Sequence, residues 1–453
     1  MLAVRNVWRV KNARGPKIGL GKEWGCTPGF RKEFSGWSTN RWKGKDVMDQ
    51  TPKTQRMTLN EIESIVSGRL LSGGAGYYFG VIISALLVVA AVVAGVHSFI
   101  VGHEHTYGVT REVPWGILIA TYVFFVVTST GLCLVSSIGH VFGVESYMPI
   151  AKRSVFLSIA TILAGFFVIA FEIKLPWRMA IYNVISPNIT SNIWWMGTLY
   201  GVYLVLMIFE FLFLNLNKHK LAVAMGFGGA VAGIAAHSNL GAVFGLLMGR
   251  EFWHGPYMSI YFIASAMMTG TAVIFLFHYL AYKVNGEDLS LDGPMVASLD
   301  VVRRLGILLI CVIIFFTTWK MVAGVAGMPG GKYEAVMALV KGPYAINFWL
   351  FEAGFGLIFP LLLFIISKGK NLMMMFVGSA MMIIGIFVMR YDLVIVGQIV
   401  PVYHELGVNE FSHLLSYTPS FHEIIITLGG FGVAFFLFLV GEKLFAGHKV
   451  EHH

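Results

Sequence analysis

The sequence predicts an all-α integral membrane protein with ten transmembrane helices, and three observations carry that prediction. Of its 453 residues, 57% are hydrophobic and 13% charged, where a soluble domain has about half and about a quarter. Ten apolar stretches approach or exceed the roughly 20 helical residues that cross a bilayer. The short connections between them alternate in Lys/Arg content, which orients the chain across the membrane.

Taken in order, residues 1–73 come first, with fourteen Lys/Arg against six Asp/Glu. This is a basic extension attracted to anionic headgroups or an acidic partner, with a solvated tail as the plain alternative; no nucleic-acid partner is expected. No apolar core follows its first basic residues, so it does not read as a cleavable signal. Its end, LNEIESIVSGRL (59–70), puts Leu59, Ile62, Ile65, Val66 and Leu70 on one face, the spacing of a helix lying along the interface.

The spans fall at about 75–101, 114–142, 154–175, 191–217, 221–237, 256–283, 301–325, 346–367, 371–390 and 421–442. The fifth is at the lower length limit. The basic amino terminus, Lys152–Arg153, Lys218–Lys220, Arg303–Arg304, Lys368–Lys370 and the tail from Glu442 share one side, so both termini are expected in the cytoplasm. The opposite segments, 102–113, 176–190, 238–255, 326–345 and 391–420, are longer and richer in Trp, Tyr, His and Pro, and chemistry and partner docking are expected there. Segment 391–420 exceeds the usual length of a structureless connection, which signals function or a short helix of its own.

Ionisable side chains inside spans are costly and therefore mark candidate sites. Glu172, in FEIKLPWR, is either an interfacial ion pair with Lys174 and Arg178 or a proton acceptor beside a redox site. Glu210, in LMIFEFLF, either snorkels to the cytoplasm or opens a proton route from that side. Glu352, in NFWLFEAGFGLIFP, sits about two turns below the outer end of its span, between small residues that let helices approach. Arg390 and Asp392 read as an interfacial ion pair at the outer end of the ninth span, with Asp392 also a proton-path candidate.

Three separated cysteines, Cys26, Cys133 and Cys311, form no CxxC pair, so no iron–sulfur or zinc site is expected within the chain. Histidines 97, 140, 237 and 278 lie in or at the ends of spans. A b-type haem would need two of them facing at one depth, which leaves an inner His140–His278 or an outer His97–His237 pair. His140 is also a proton-path candidate beside Glu210.

The insert AAHSNLGAVFGLLMGREFWHGPY (235–257) is the richest in polar groups, with His237, Ser238 and Asn239 at its start and Arg250, Glu251, Trp253 and His254 at its end. A quinone ring asks for an apolar cleft and one donor or proton acceptor per carbonyl. This insert, Glu172 and the pair Trp194–Trp195 in SNIWWMG supply such groups, although tryptophans at an interface are also simple anchors.

Four stretches, VPWGILIATYVFFVVTSTGLCLVSSIGHVFG (113–143), SPNITSNIWWMG (186–197), GAVFGLLMGREFWHG (241–255) and RYDLVIVGQ…LLSYTPSFHEIIITLGG (390–430), resemble the NrfD/PsrC family of quinone-linked membrane subunits. The resemblance implies a core of two four-helix bundles. Ten spans look like the branch with one flanking helix at each end, found in the membrane subunits of alternative complex III, the Dsr complex and some hydrogenases. It implies a prokaryotic cytoplasmic membrane, a quinone site in the first bundle near the outer face, and a ferredoxin-like iron–sulfur partner docked above it. Where polysulfide reductase relatives carry Asn and His on the first core helix, this chain has Ile119 and Tyr122. Tyr122 donates to a carbonyl but accepts protons poorly, which leaves Glu172 or His237 for that role.

The resulting expectation is a menaquinone-interacting membrane subunit of a respiratory oxidoreductase, not catalytic alone. Its layout is a basic extension (1–73), an extra first helix and outer loop (74–112), a quinone-binding first bundle (113–255), a second bundle with its long loop (256–420), and a last helix and tail (421–453). Glu172 and His237 are the expected proton-handling residues, and Tyr122, Trp194, Trp195, Ser238, Asn239 and Arg178 the expected quinone contacts. Proton-path candidates are Glu210, Glu352, His140 and Asp392. No metal is expected in the chain; clusters, and molybdopterin, haem c or hydrogenase centres, belong to partners. A haem b cytochrome subunit and a secondary transporter are the rival readings, the second disfavoured by continuous apolar runs.

Overall fold

The computed structural model describes residues 68–402 and 414–445. Ten helices there are long and apolar enough to cross a membrane. They are α1 (Ala75–Val101), α2 (Ile117–His140), α3 (Met148–Glu172), α4 (Asn192–Asn215), α5 (His219–Gly245), α6 (Tyr257–Asn285), α7 (Gly293–Val325), α8 (Asn347–Ser367), α9 (Leu372–Ile399) and α10 (Phe421–Phe445). In hydrocarbon every backbone N–H and C=O must be satisfied within the segment, which is why apolar runs of this length wind into helices. Short helices Pro176–Ile185 and Lys332–Val340 occupy connections expected to be loops, both on the face that carries the long loops. Residues 1–67, with most of the expected interfacial helix, and residues 403–413 and 446–453 lie outside the described residues.

Two helix ends differ from expectation in a way that matters for the site. The fifth span, read as ending at 237, continues to Gly245, so His237, Ser238 and Asn239 are helical. Glycines and polar residues there resemble loop signals, yet Ala236, Leu240 and Phe244 bury against neighbours and carry the helix on. The ninth span, read as ending at 390, continues to Ile399, placing Arg390 and Asp392 inside the helix rather than at its mouth. Their charges depress local hydropathy without breaking the helix, because both are buried in protein and not in lipid.

Contacts run from α2 to α3, α3 to α4, α4 to α5 and back from α5 to α2, so these four helices close a ring. Helices α6, α7, α8 and α9 close a second ring in the same manner. The seam between the rings is α2 against α6 and α9, together with α5 against α6. A Cβ added at Gly131 of α2 would strike the carbonyl of Ala266 on α6, so the two backbones touch directly there. Helices α1 and α10, which flank the rest in sequence, pair with each other and lie against α3.

The first twelve residues of α8, Asn347–Ile358, are wound as a π-helix ahead of Pro360. Proline lacks the N–H that an α-helix would use at that point, and wide turns of this kind favour functional positions. Glu352 lies within this segment, 7% exposed.

Candidate functional site

A cavity of about 460 Å³ lies inside the first ring, beneath the long-loop face. Its volume is within the roughly 300–1,000 Å³ typical of small-molecule sites. The wall is apolar: Ile119 and Val123 of α2, Phe166, Ile169 and Ile173 of α3, Ile193 and Met196 of α4, and Leu240, Val243 and Phe244 of α5. The short helix Pro176–Ile185 closes one side with Met179, Ala180 and Asn183.

Polar groups on this wall are few. Tyr122 is 4% exposed, and its hydroxyl has no hydrogen-bond partner among the described residues. A hydroxyl that opens onto an apolar cavity without a protein partner is available to a ligand or water there. Asn183 is the second polar side chain, its Nδ2 donating to Thr198 Oγ1 at 3.1 Å. Trp115 completes the set; its ring stacks on Trp253 at 5.3 Å and meets Phe244 edge-on at 5.3 Å.

Deeper in the ring, one face of α4 carries all of that helix's buried residues: Tyr200, Tyr203, Met207 and Glu210. Tyr200 OH shares a 2.9 Å hydrogen bond with His237 Nδ1. Tyr203 OH lies 2.8 Å from Ser158 Oγ and 3.0 Å from Ser129 Oγ. Glu210 contacts His140 Nε2 directly, and both are buried. This places polar groups along the ring from near the basic face to the cavity, interrupted by Met207.

Several residues expected to contact a quinone lie beside this cavity and not on its wall: Glu172, His237, Trp194, Trp195, Ser238, Asn239 and Arg178. Trp194 Nε1 donates to the Asn183 carbonyl at 2.8 Å, fastening the short helix to α4, and Trp195 Nε1 donates to the Ile189 carbonyl at 2.9 Å. Asn239 Nδ2 ties α5 to the start of α4 through the Asn192 carbonyl. The Ser238 carbonyl accepts from Ser259 of α6. Arg178 is exposed, and it forms no ion pair with Glu172 among the described residues.

Glu172 turns instead towards the connection 102–116 and the start of α10, and its Oε2 is buried without a partner. There Tyr107 OH donates to the Phe171 carbonyl at 2.8 Å and its ring stacks on His103 at 4.6 Å. Burial holds the His103 imidazole below its ordinary value. Glu423 accepts from the Gly108 and Ser420 amides, each at 2.8 Å, and from Tyr417 OH at 2.6 Å. Burial, then the charge of Glu423, keeps the Tyr417 phenol protonated.

In the insert after α5, Arg250 acts as a clamp: Nη1 donates to the Gln398 carbonyl and Nη2 to the Glu112 carbonyl, each at 2.8 Å. Trp253 Nε1 donates to the Leu393 carbonyl at 2.7 Å. These residues join the two rings at the long-loop face, a structural use that the polar composition of the insert does not separate from ligand binding.

The second ring holds its own buried ionisable groups. Arg390 and Asp392, expected as a pair, point to different partners: Arg390 Nη2 donates to Ser265 Oγ at 2.6 Å, and Asp392 Oδ1 accepts from Asn347 Nδ2 at 2.9 Å. Positions two apart on a helix do not face each other. Arg390 Nε and Nη1 and Asp392 Oδ2 are buried without partners. Lys320 on α7 lies over the Phe252 ring at 3.8 Å.

The histidines do not form the pairs a haem would use. His97 shares a 3.0 Å hydrogen bond with His422 and stacks on it, His237 is bound to Tyr200, and His140 contacts Glu210 while His278 bonds the Ile274 carbonyl. Sequence reasoning missed Phe166, Asn183, Gly201 and Tyr200. The Pro at the start of 176–185 followed by Trp177, Ile181 and Tyr182 was the available sign of an interfacial helix.

Ten membrane-length helices among the described residues, with an apolar cavity of small-molecule size in the first ring, define a polytopic membrane protein. The chain belongs to the polysulphide reductase NrfD family, whose model matches residues 104–402. It is 26% identical to the Hdr-like menaquinol oxidoreductase integral membrane subunit of Archaeoglobus fulgidus, over 84% of this chain and 96% of that protein. It is 25% identical to a selenate reductase subunit of Mesobacillus selenatarsenatis, over 74% of this chain and 86% of that one.

Proposed function

We propose that this chain is the quinone-interacting membrane subunit of a multisubunit respiratory oxidoreductase. On this reading it exchanges electrons between menaquinol and an extrinsic iron–sulfur subunit seated on the long-loop face, which is the outer face of a prokaryotic cytoplasmic membrane. The observation that carries the reading is the cavity of about 460 Å³ with the partnerless Tyr122 hydroxyl on its otherwise apolar wall. Family membership and a relative named for menaquinol oxidation support it.

The residues present fit a quinone ring. Tyr122 offers one hydroxyl to a ring oxygen, Asn183 one amide, and Trp115 and Phe244 present flat apolar faces. Bound menaquinol supplies two electrons and two protons on oxidation. The chain's own work is to hold the ring by these groups and exclude water with the aliphatic wall. Behind Tyr122 stands the Tyr200–His237 pair, whose His237 Nε2 is free to hold a proton. Glu172, beside the cavity, faces the connection 102–116 and stands on the side from which protons leave. Electrons pass to partner subunits that carry iron–sulfur clusters and a molybdopterin, haem c or hydrogenase centre.

Proton translocation is the further part of the reading. Its residues are His140 and Glu210 in the first ring and Glu352 and Asp392 in the second, all buried. The test of the whole proposal is organic extraction of the purified complex followed by quinol oxidation assays. Stoichiometric menaquinone and quinol-dependent reduction of the partner clusters support it. A complex that carries neither quinone nor quinol-dependent activity refutes it.

A further inference from the structure

We infer that Gly201 of α4 and Phe166 of α3 frame a portal through which the isoprenoid tail of a bound quinol leaves the cavity for the bilayer, and that this portal selects long-tailed quinols. The inference rests on the quinone reading above.

Three observations locate the portal. First, the topology ranks the wall residues by depth. Helix α3 rises towards the long-loop face and α4 descends from it, so Phe166 and Gly201 are the deepest wall residues on their helices. Gly201 is nine residues below Asn192, about 13 Å along the helix. Second, α3 packs along α2 and α4 along α5, whereas α3 and α4 meet more sparsely and the short helix Pro176–Ile185 bridges only the top of their gap. Third, a Cβ built on Gly201 would meet no atom within 4 Å, while one on Gly197, a turn higher, would sit 3.5 Å from Asn183 Oδ1 and Met179 Cε. The wall is therefore closed at Gly197 by the short helix and open at Gly201.

A ring held by Tyr122 has its tail directed along this opening. A flexible prenyl chain needs a slot one side chain wide, and a glycine lets it lie against the helix backbone. Below Gly201, α4 turns Val205 and Ile208 to the lipid. A chain passing over the glycine thus continues on an apolar surface already at hydrocarbon depth.

The test uses the purified full-length chain in lipid nanodiscs and the quenching of tryptophan emission by quinones, since Trp115 lines the cavity. The probes are menadione, which has no tail, and a long-tailed menaquinone. Gly201→Leu is expected to raise Kd for the long-tailed quinone about tenfold, the equivalent of roughly two lost methylene contacts. Its Kd for menadione is expected to change by less than about twofold. Gly201→Ala, which fits the open space, is expected to behave as wild type. Gly201→Met fills the same opening with a flexible side chain and is expected to give the same split even if Gly201→Leu fails to fold. Equal changes for both quinones, or none for the long-tailed one, in either folded variant would overturn the portal. A wild-type chain that binds neither quinone would overturn the quinone reading itself.

Discussion

Replacing Tyr122 with Phe separates a ligand contact from a structural one. The hydroxyl has no partner among the described residues and faces the cavity, so its loss removes no internal hydrogen bond. Stability is expected to stay within about 0.5 kcal/mol of wild type. Binding differs: a neutral hydrogen bond contributes about 0.5–1.5 kcal/mol, and a ring oxygen left unpaired in an apolar site adds a desolvation cost. The sum, about 1–2 kcal/mol, corresponds to a Kd raised roughly 5- to 30-fold. Tyr203→Phe is the control, because its hydroxyl bonds Ser129 and Ser158. Losing it strands buried groups and is expected to cost about 1–3 kcal/mol of stability. Quinone quenching gives Kd, and thermal unfolding in nanodiscs gives Tm. The reasoning fails if Tyr122→Phe lowers Tm as much as Tyr203→Phe does, or leaves Kd unchanged.

Arg153 Nε and Nη2 donate to the two carboxylate oxygens of Glu442 at 2.9 and 2.8 Å, with both residues buried. Glu442→Leu is expected to cost about 3–5 kcal/mol by stranding the guanidinium, and Arg153→Met added to it to recover most of the loss; a Tm unmoved by the single change contradicts this. Glu352→Gln, assayed by proton release in liposomes, is expected to lower the protons released per electron, and unchanged coupling removes Glu352 from the mechanism. His103 is held below its ordinary value of 6.5 by burial, so the folded state favours its neutral form. Its contribution to stability is present above that value and lost as pH falls through the lower folded value. Protection factors at 103–108, corrected for the intrinsic slowing of amide exchange at lower pH, should therefore fall below pH 6.5, and His103→Asn should flatten that fall. Asn183→Ala breaks the bond to Thr198 and is expected to speed exchange across 176–185, while protection in α2 holds.

Span count and helical class were legible because length and hydropathy answer directly to bilayer thickness. The ends of α5 and α9 were not. At His237–Asn239 and Arg390–Asp392 polar side chains lowered the hydropathy, yet protein neighbours rather than lipid surround them. Hydropathy reports transfer to hydrocarbon and carries no information on packing against another helix. The cavity wall was hidden for a related reason: Ile119, Phe166 and Gly201 look the same in sequence whether they face lipid, a neighbour or a void. Tyr122 was found only through the family resemblance. Trp194, read as a wall of the cleft, instead fastens the helix that closes it.

Photoaffinity labelling of the assembled complex with an azido-menaquinone, followed by peptide mapping, tests the central claim most directly. The account predicts label concentrated on 115–123, 166–183 and 193–201, displaced by unmodified menaquinone. Label scattered over the lipid-facing sides of α1 and α7, with no displacement, would contradict it.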